Sequence, residues 1–328
     1  MPKTHTTHEE VVELVTELKK EFDKDGGLKH VYLVACGGSH ANLEPLNFML
    51  NNEAKTIHSE NINAQEFADA TPKACNKNAL VIGLSLLGGT RETVAALAKA
   101  KECNAKVITI GGVEKCKIAE HTDYHFVSGF KDVELGHIGL LLRIGFELLK
   151  QFEGFKGYDE VVSKYNKIDA LTKKAKIKAK REGKKWGEAH KDKKVVYTMA
   201  SGILYDTAYM TSICLFMEME WVNTNAIHSG EYFHGPFEIT DQNVPFYIIK
   251  SLGRTRPVDE RAIKFASKYS NDVYVIDVKD YVGNSLGKYE EYLQAIVMNE
   301  VNMTIMGEYM AARKHPMFLR KYMMKEDY

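Results

Sequence analysis

"ALVIGLSLLGGTRETVAAL" (residues 79–97) runs as an unbroken apolar stretch, breaks into serine, glycines and threonine, and resumes as helix-forming sequence. "VPFYIIKSLGRTRPVDERAI" (244–263) repeats that order, with Ser251 in the place of Ser85 and Thr255-Arg256 in the place of Thr90-Arg91. Apolar, β-branched runs without alternation are what strands buried on both faces require. The repeat extends outward. "KHVYLVACGGSHAN" (29–42) and "KKVVYTMASGILYD" (193–206) both pass from a strand into glycine and serine, and "AKVITIGG" (105–112) answers "NDVYVIDV" (271–278). Two copies of a strand–loop–helix series predict an α/β protein of two similar domains. Each is expected to be a parallel sheet flanked by helices, doubly wound and flavodoxin-like.

The length, 328 residues, also favours two cores over one. An N-terminal helix is expected within 1–28: Thr7 and Glu10 form a capping-box signature, Val11, Leu14, Val15, Leu18 and Phe22 recur at helical spacing, and Gly26-Gly27 stops it. The first domain is expected over 29–165 and the second over 193–328. Between them, 166–192 reads as a basic helical linker. "TKKAKIKAKREGKKWGEAHKDKK" (172–194) holds eleven Lys or Arg and three acids. That run reads as a solvated helix face and not as a nucleic-acid patch, because Trp186 is its sole aromatic.

Lys and Arg balance Asp and Glu at 44 each, so no global field favours nucleic acid or an anionic membrane. No apolar run approaches the ~18 residues of a bilayer span, and the first ten residues lack a secretory apolar core. Five cysteines, an odd number without a C-x-x-C pair, fit reduced thiols in a cytoplasm.

Two loops suit an anion. "ACGGSHAN" follows a strand and opens a helix, so Gly38 lets backbone amides approach and Ser39 adds a hydroxyl. "SLLGGTRET" offers Ser85 and Thr90 as donors and Gly88-Gly89 for the turn. Either loop alone also fits simple N-capping. Two in one domain converge at the carboxyl ends of the strands, where open α/β sheets bind ligands. Neither a Walker lysine motif nor G-x-G-x-x-G is present, so a nucleotide is not expected. In the second copy Arg254 and Pro257 interrupt the pattern, so only the first domain is expected to keep a full cradle.

A third stretch, "HSGEYFHGPFEI" (228–239), admits a metal site, an acid/base site or a plain corner. His228, Glu231 and His234 stand three apart, which spreads them over about 120° of a helix, and Gly230, Gly235 and Pro236 oppose a regular helix. No metal is expected.

"ACGGS", then "S-x-x-G-x-T-x-E-T", then "SGE-x-x-HGP" resemble the sugar isomerase (SIS) domain family. "YTMASG", "SICLFMEMEWV", "AIHSGEYFHGPFEI", "RPVDERA" and the tail "HPMFLRKYMMKEDY" resemble its tandem-domain fructosamine-6-phosphate deglycases over essentially the whole chain. The resemblance implies two tandem SIS domains, with a C-terminal tail completing the site. It also implies a phosphate held by Ser39, Ser85 and Thr90, although Leu87 replaces a customary serine. Glu218 is implied as the carbon base and His234 as the group that opens the sugar ring. His228, Glu231 and Lys321 are further candidates to touch substrate; the deglycases carry arginine at the place of Lys321. Glu218, on an apolar helix, is expected to be poorly solvated and of raised basicity, with Glu220 on another face and solvated.

The implied reaction cleaves a 6-phosphorylated Amadori compound, such as fructoselysine 6-phosphate or 6-phosphofructose-aspartate, to glucose 6-phosphate and an amino acid. No cofactor is expected. An aldose–ketose isomerase or amino-sugar-phosphate deaminase on the same fold is the alternative. A DNA-binding sensor would need a helix-turn-helix that the sequence does not offer. The family also implies a homodimer or larger assembly with the site near the subunit interface, so that His228 or His234 serves a neighbour.

Overall fold

The computed structural model describes residues 6–128, 133–316, 318–323 and 325–327. The first five residues of the expected N-terminal helix, and Met317, Met324 and Tyr328 of the tail, lie outside the described residues. The chain divides into two compact units, Met1–Asp169 and Ala170–Tyr328.

In the first unit, α1 (His8–Lys24) starts at a complete capping box: the Thr7 hydroxyl accepts from the Glu10 amide at 3.2 Å, and the Glu10 carboxylate accepts from the Thr7 amide at 2.7 Å. There follow β1 (His30–Ala35), α2 (Gly37–Glu53), β2 (His58–Asn63), α3 (Ala64–Asp69), β3 (Ala79–Leu84), α4 (Arg91–Glu102), β4 (Lys106–Gly111), β5 (Tyr124–Val127) and α5 (His137–Glu153). The five strands are all parallel in the order β2-β1-β3-β4-β5. This is the flavodoxin-type order, whose topological switch lies between β1 and β3. Every residue of β3 is buried, as the unbroken apolar run requires. Leu80, Val81, Ile82 and Leu84 each contribute about 1.5–3 kcal/mol on burial.

The basic segment belongs to α6 (Tyr158–His190), a helix that begins eight residues before the expected linker. Its lysines stand on one face. The other buries Thr172, Ala175, Ala179 and Trp186. Trp186 packs against the rings of Tyr247, Tyr274 and Tyr309, so it is a core residue and no stacking platform.

The second unit continues with β6 (Val195–Ala200), α7 (Tyr205–Met210), β7 (Asn223–His228), β8 (Phe246–Lys250), α8 (Arg256–Tyr269), β9 (Val273–Asp277), α9 (Lys279–Val282) and α10 (Glu290–Arg313). Its sheet is parallel in the order β7-β6-β8-β9, which matches the first four strands of the other sheet. The segment after α7 departs from the expected α-helix: Thr211–Met219 is a π-helix of nine residues. Such wide turns are rare and concentrate at functional sites. Among the described residues no helix is long and apolar enough to cross a membrane.

Candidate functional site

The loops after β1 and β3 leave neighbouring strands at the same edge, since Val34 pairs with Gly83. Their helices α2 and α4 start there, so both helix N-termini and both loops flank the switch point. Ser85 is 2 % exposed, and its Oγ lies 3.0 Å from Thr90 Oγ1. Thr90 is the N-cap residue of α4, yet its hydroxyl does not cap the helix. One hydroxyl donates to the other, and the second proton is left to face outward. Ser39, in the first turn of α2, has no side-chain partner among the described residues. The amides of Leu87, Gly89 and Thr90 are likewise uncommitted. Gly88 has φ +68°, and a Cβ there would come within 2.3 Å of Cys116, so glycine is required twice over. Gly38 and Gly89 carry no such demand; in the first loop the positive φ belongs to Gly37. The Leu87 side chain is 72 % exposed and does not enter the cradle.

The matching loops of the second unit are filled. Ser251 Oγ lies 3.2 Å from Thr255 Oγ1, as Ser85 does from Thr90. Here, however, the Asp259 carboxylate accepts from Ser251 Oγ at 2.6 Å, from the Ser251 amide at 2.9 Å and from Ser229 Oγ at 2.6 Å. The Leu252 and Arg254 amides donate to Gln294 and Glu291. Arg256 is held by Asp277, with N–O distances of 2.9 and 2.8 Å. Burial alone would raise the Asp277 carboxyl, but Arg256, Lys250 and the Lys279 amide hold it down to about 2.

The second unit also carries two carboxylates after α7, and their burial is the reverse of that expected. Glu220 is not solvated: it is fully buried, bonded to Arg313 at 2.7 Å, with His315 3.7 Å away. Burial pushes its carboxyl up, against the opposing pull of Arg313 and His315. Glu218 is the more exposed of the two, at 23 % of its side chain. A two-residue step along a helix turns a side chain to nearly the opposite face, and the face that enters the core is that of Glu220. Glu218 instead opens onto a cavity of about 320 Å³ with Met217, Trp221, Asn223, Lys321 and Tyr322.

The tail reaches Glu218 through Arg320, whose Nε and Nη2 donate to Glu218 Oε1 at 3.0 and 2.6 Å. Lys321 lies 4.3 Å from the centre of the Trp221 ring. Arg320 is thus the residue that sequence reasoning missed; a cation one position from the candidate was the available signal. Trp221 itself has φ +57°, a left-handed conformation that costs a non-glycine residue roughly 1–2 kcal/mol.

His228 and Glu231 come together in a different cavity, of about 420 Å³, with Tyr197, Tyr205, Asn225 and Ile239. His228 Nδ1 accepts from the Gly230 amide at 3.1 Å, which leaves Nε2 to carry the proton. His234 is exposed on the following turn, its amide bonded to the Glu231 carbonyl at 2.9 Å, and lines neither cavity. Glu218 stands at the Asn223 end of β7 and His234 beyond the His228 end. Five strand steps of about 3.3 Å separate those ends by roughly 16 Å. Within one chain Glu218 and His234 line no common cavity among those described. Among the described residues no group of three or more His, Cys, Asp or Glu is placed to hold a metal ion.

The SIS domain profile matches residues 28–128. Fructosamine deglycase FrlB of Bacillus subtilis is 36 % identical over 92 % of this chain and 93 % of its own length. The fructoselysine 6-phosphate deglycase of Escherichia coli O157:H7 is 26 % identical over 84 % and 78 %. A Bacillus subtilis crystal structure with a provisional phosphosugar-isomerase assignment superposes with a TM-score of 0.93 at 34 % identity, covering 97 % of both chains. A Salmonella typhimurium structure with the same assignment gives 0.88 at 33 %, covering 98 % and 99 %. The chain belongs to the sugar isomerase (SIS) family, within its fructosamine deglycase subfamily.

Proposed function

We propose that this chain is a deglycase that cleaves fructosamine 6-phosphates to glucose 6-phosphate and a free amino acid. The relationship to fructosamine deglycase over nine-tenths of both chains supports it. One structural observation carries the assignment of roles: the first unit's switch point presents uncommitted donors, and the second unit's does not. A phosphate monoester needs several donors and no competing carboxylate. Ser39, Ser85, Thr90 and the amides of the 85–90 loop supply them.

In this reading Glu218 carries protons between C1 and C2 of the opened ketosamine, and water then attacks the imine carbon to release the amino acid. Arg320 keeps the carboxylate oriented toward the cavity. An imidazole with a free ring is suited to protonating the ring oxygen, and His234 is such a group. Because β7 separates His234 from Glu218 in one chain, the pair is completed by two copies of the chain, each lending its histidine to the other. The exposed apolar residues beside the Glu218 cavity, Met217, Trp221, Leu319 and Tyr322, fit a surface that a second copy covers.

A panel of 6-phosphorylated Amadori compounds, assayed for glucose 6-phosphate and free amino acid beside fructose 6-phosphate, tests the activity. Release of glucose 6-phosphate from fructose 6-phosphate alone would assign an isomerase instead. Mixing a Glu218→Gln chain with a His234→Asn chain tests sharing: the mixture regains activity that neither variant has, and failure to regain it places both groups in one subunit's site.

A further inference from the structure

We propose that the second unit retains an anion cradle of the phosphosugar type and that the chain's own Asp259 occupies it as a built-in ligand. The inference uses the first-unit loops as its template, but its test needs neither those loops nor catalysis.

The correspondence runs through a hydroxyl pair, a glycine and the following helix, with one residue more between Ser85 and Thr90 than between Ser251 and Thr255. Ser251 and Thr255 repeat Ser85 and Thr90, with hydroxyl separations of 3.2 and 3.0 Å. Both loops turn through a glycine of positive φ, Gly253 at +82° and Gly88 at +68°. Both open a helix, α8 at Arg256 and α4 at Arg91, so the fourth helical residue is Asp259 in one and Val94 in the other. After β7 comes Ser229, and after β2, the equivalent strand, comes Ala64. The second unit therefore has what the first lacks, a carboxylate and an added hydroxyl to hold it.

Asp259, Ser251 and Ser201 are fully buried, and Ser229 is 1 % exposed. A buried carboxylate persists only when hydrogen bonds replace its hydration, and three donors at 2.6–2.9 Å do so here. Among the described residues no cation bonds the Asp259 carboxylate: Arg254 is engaged by Glu291, and Arg256 by Asp277 and the Ser251 carbonyl. The Ser251 hydroxyl is the donor that the two switch points share; the Ser251 amide is an added donor, since the Ser85 amide donates to the Ile110 carbonyl at 3.2 Å. Closed by its own side chain, the second cradle admits no phosphosugar, and the chain keeps one phosphate site.

Asp259→Val installs the first unit's residue and empties the cradle. Thermal melts of this variant are compared with Asp259→Asn and the parent in sodium formate, a free carboxylate, against matched sodium chloride. Asp259→Val is expected to lower the melting temperature by on the order of 5–10 °C. Formate is expected to restore part of that loss saturably, with no such effect on the parent. Addition of Ser251→Ala abolishes the restoration. Should Asp259→Val fail to fold, Asp259→Asn decides: it keeps the shape, removes the charge and is expected to melt several degrees low. Parental stability in Asp259→Asn, or formate acting on Asp259→Val no more than on the parent, overturns the proposal.

Discussion

The two switch points share a sheet order, a serine–threonine pair and a left-handed glycine, yet one is open and the other closed. The difference rests on few atoms. At the fourth position of the following helix the first unit has Val94, which packs against a hydrophobic cluster with Val34 and Leu97. The second has Asp259, bonded to three donors. In the function proposed above, two sheets of matching strand order serve different tasks, anchoring in the first unit and proton transfer in the second. A duplicated fold need not lose its ligand geometry to lose its ligand; one acidic side chain at the right helical position suffices.

Substitutions that exchange or cancel the two tasks give this contrast its sharpest tests. The largest effect is expected from Glu218→Gln, which leaves anchoring intact and removes the base. kcat should fall by about 10³-fold, within the range for a lost general base, with KM changed little. A rise in KM with kcat preserved would instead assign Glu218 to anchoring and break the division.

Next is Val94→Asp, which places the second unit's carboxylate in the first cradle. Steady-state kinetics should show kcat/KM reduced about 100-fold through KM, the signature of a like-charged group facing the phosphate. Unchanged kinetics would mean that the 85–90 loop does not receive the phosphate.

Ser85→Ala and Ser251→Ala form a smaller, paired test. Each removes one hydrogen bond to an anion, about 1.5–3 kcal/mol. For Ser85→Ala that is a rise in KM of roughly tenfold or more. For Ser251→Ala it is a fall in melting temperature of a few degrees, with KM unaltered. If both variants raised KM alike, the two cradles would be equivalent.

The smallest effect concerns Asp277, which grips Arg256 while that guanidinium also donates to the Ser251 carbonyl of the second cradle. Its carboxyl, held down to about 2 in the folded chain, stabilises the fold at pH values above its unfolded pKa. That stability is lost as pH falls from about 4 through 2, at most about 2 kcal/mol. Acid titration of the melting temperature should be flatter in this window for Asp277→Asn, and an equally steep titration would remove Asp277 from the account.

Much of this was legible in the sequence for one reason: the inner strands are buried on both faces, so β1, β3, β4, β6 and β8, and the apolar β9, announced themselves as unbroken runs. The edges were not legible. β2, "HSENIN", and β7, "NTNAIH", are half-exposed and polar, and β5 is only four residues long. They are strands because neighbours pair with them, which no local pattern records. The Ser85–Thr90 pair was readable from the repeat. The burial of Glu218 and Glu220 is the reverse of the sequence reading, because both are carboxylates on one apolar segment and only packing against Arg313 decides which is buried. Arg320 was hidden beside Lys321 for a similar reason: a tail residue acquires its partner through the path of the chain.

The nine-residue π-helix that ends at Met219 has a practical corollary for length variation. A π turn holds about one residue more than an α turn. A one-codon deletion within 211–217 would let the segment relax to ordinary α geometry, whose larger turn per residue offsets most of the lost rotation, so Glu218 would keep roughly its direction. An inserted residue has no such outlet, because the turns are already wide, so this stretch should tolerate the loss of one residue better than the gain of one.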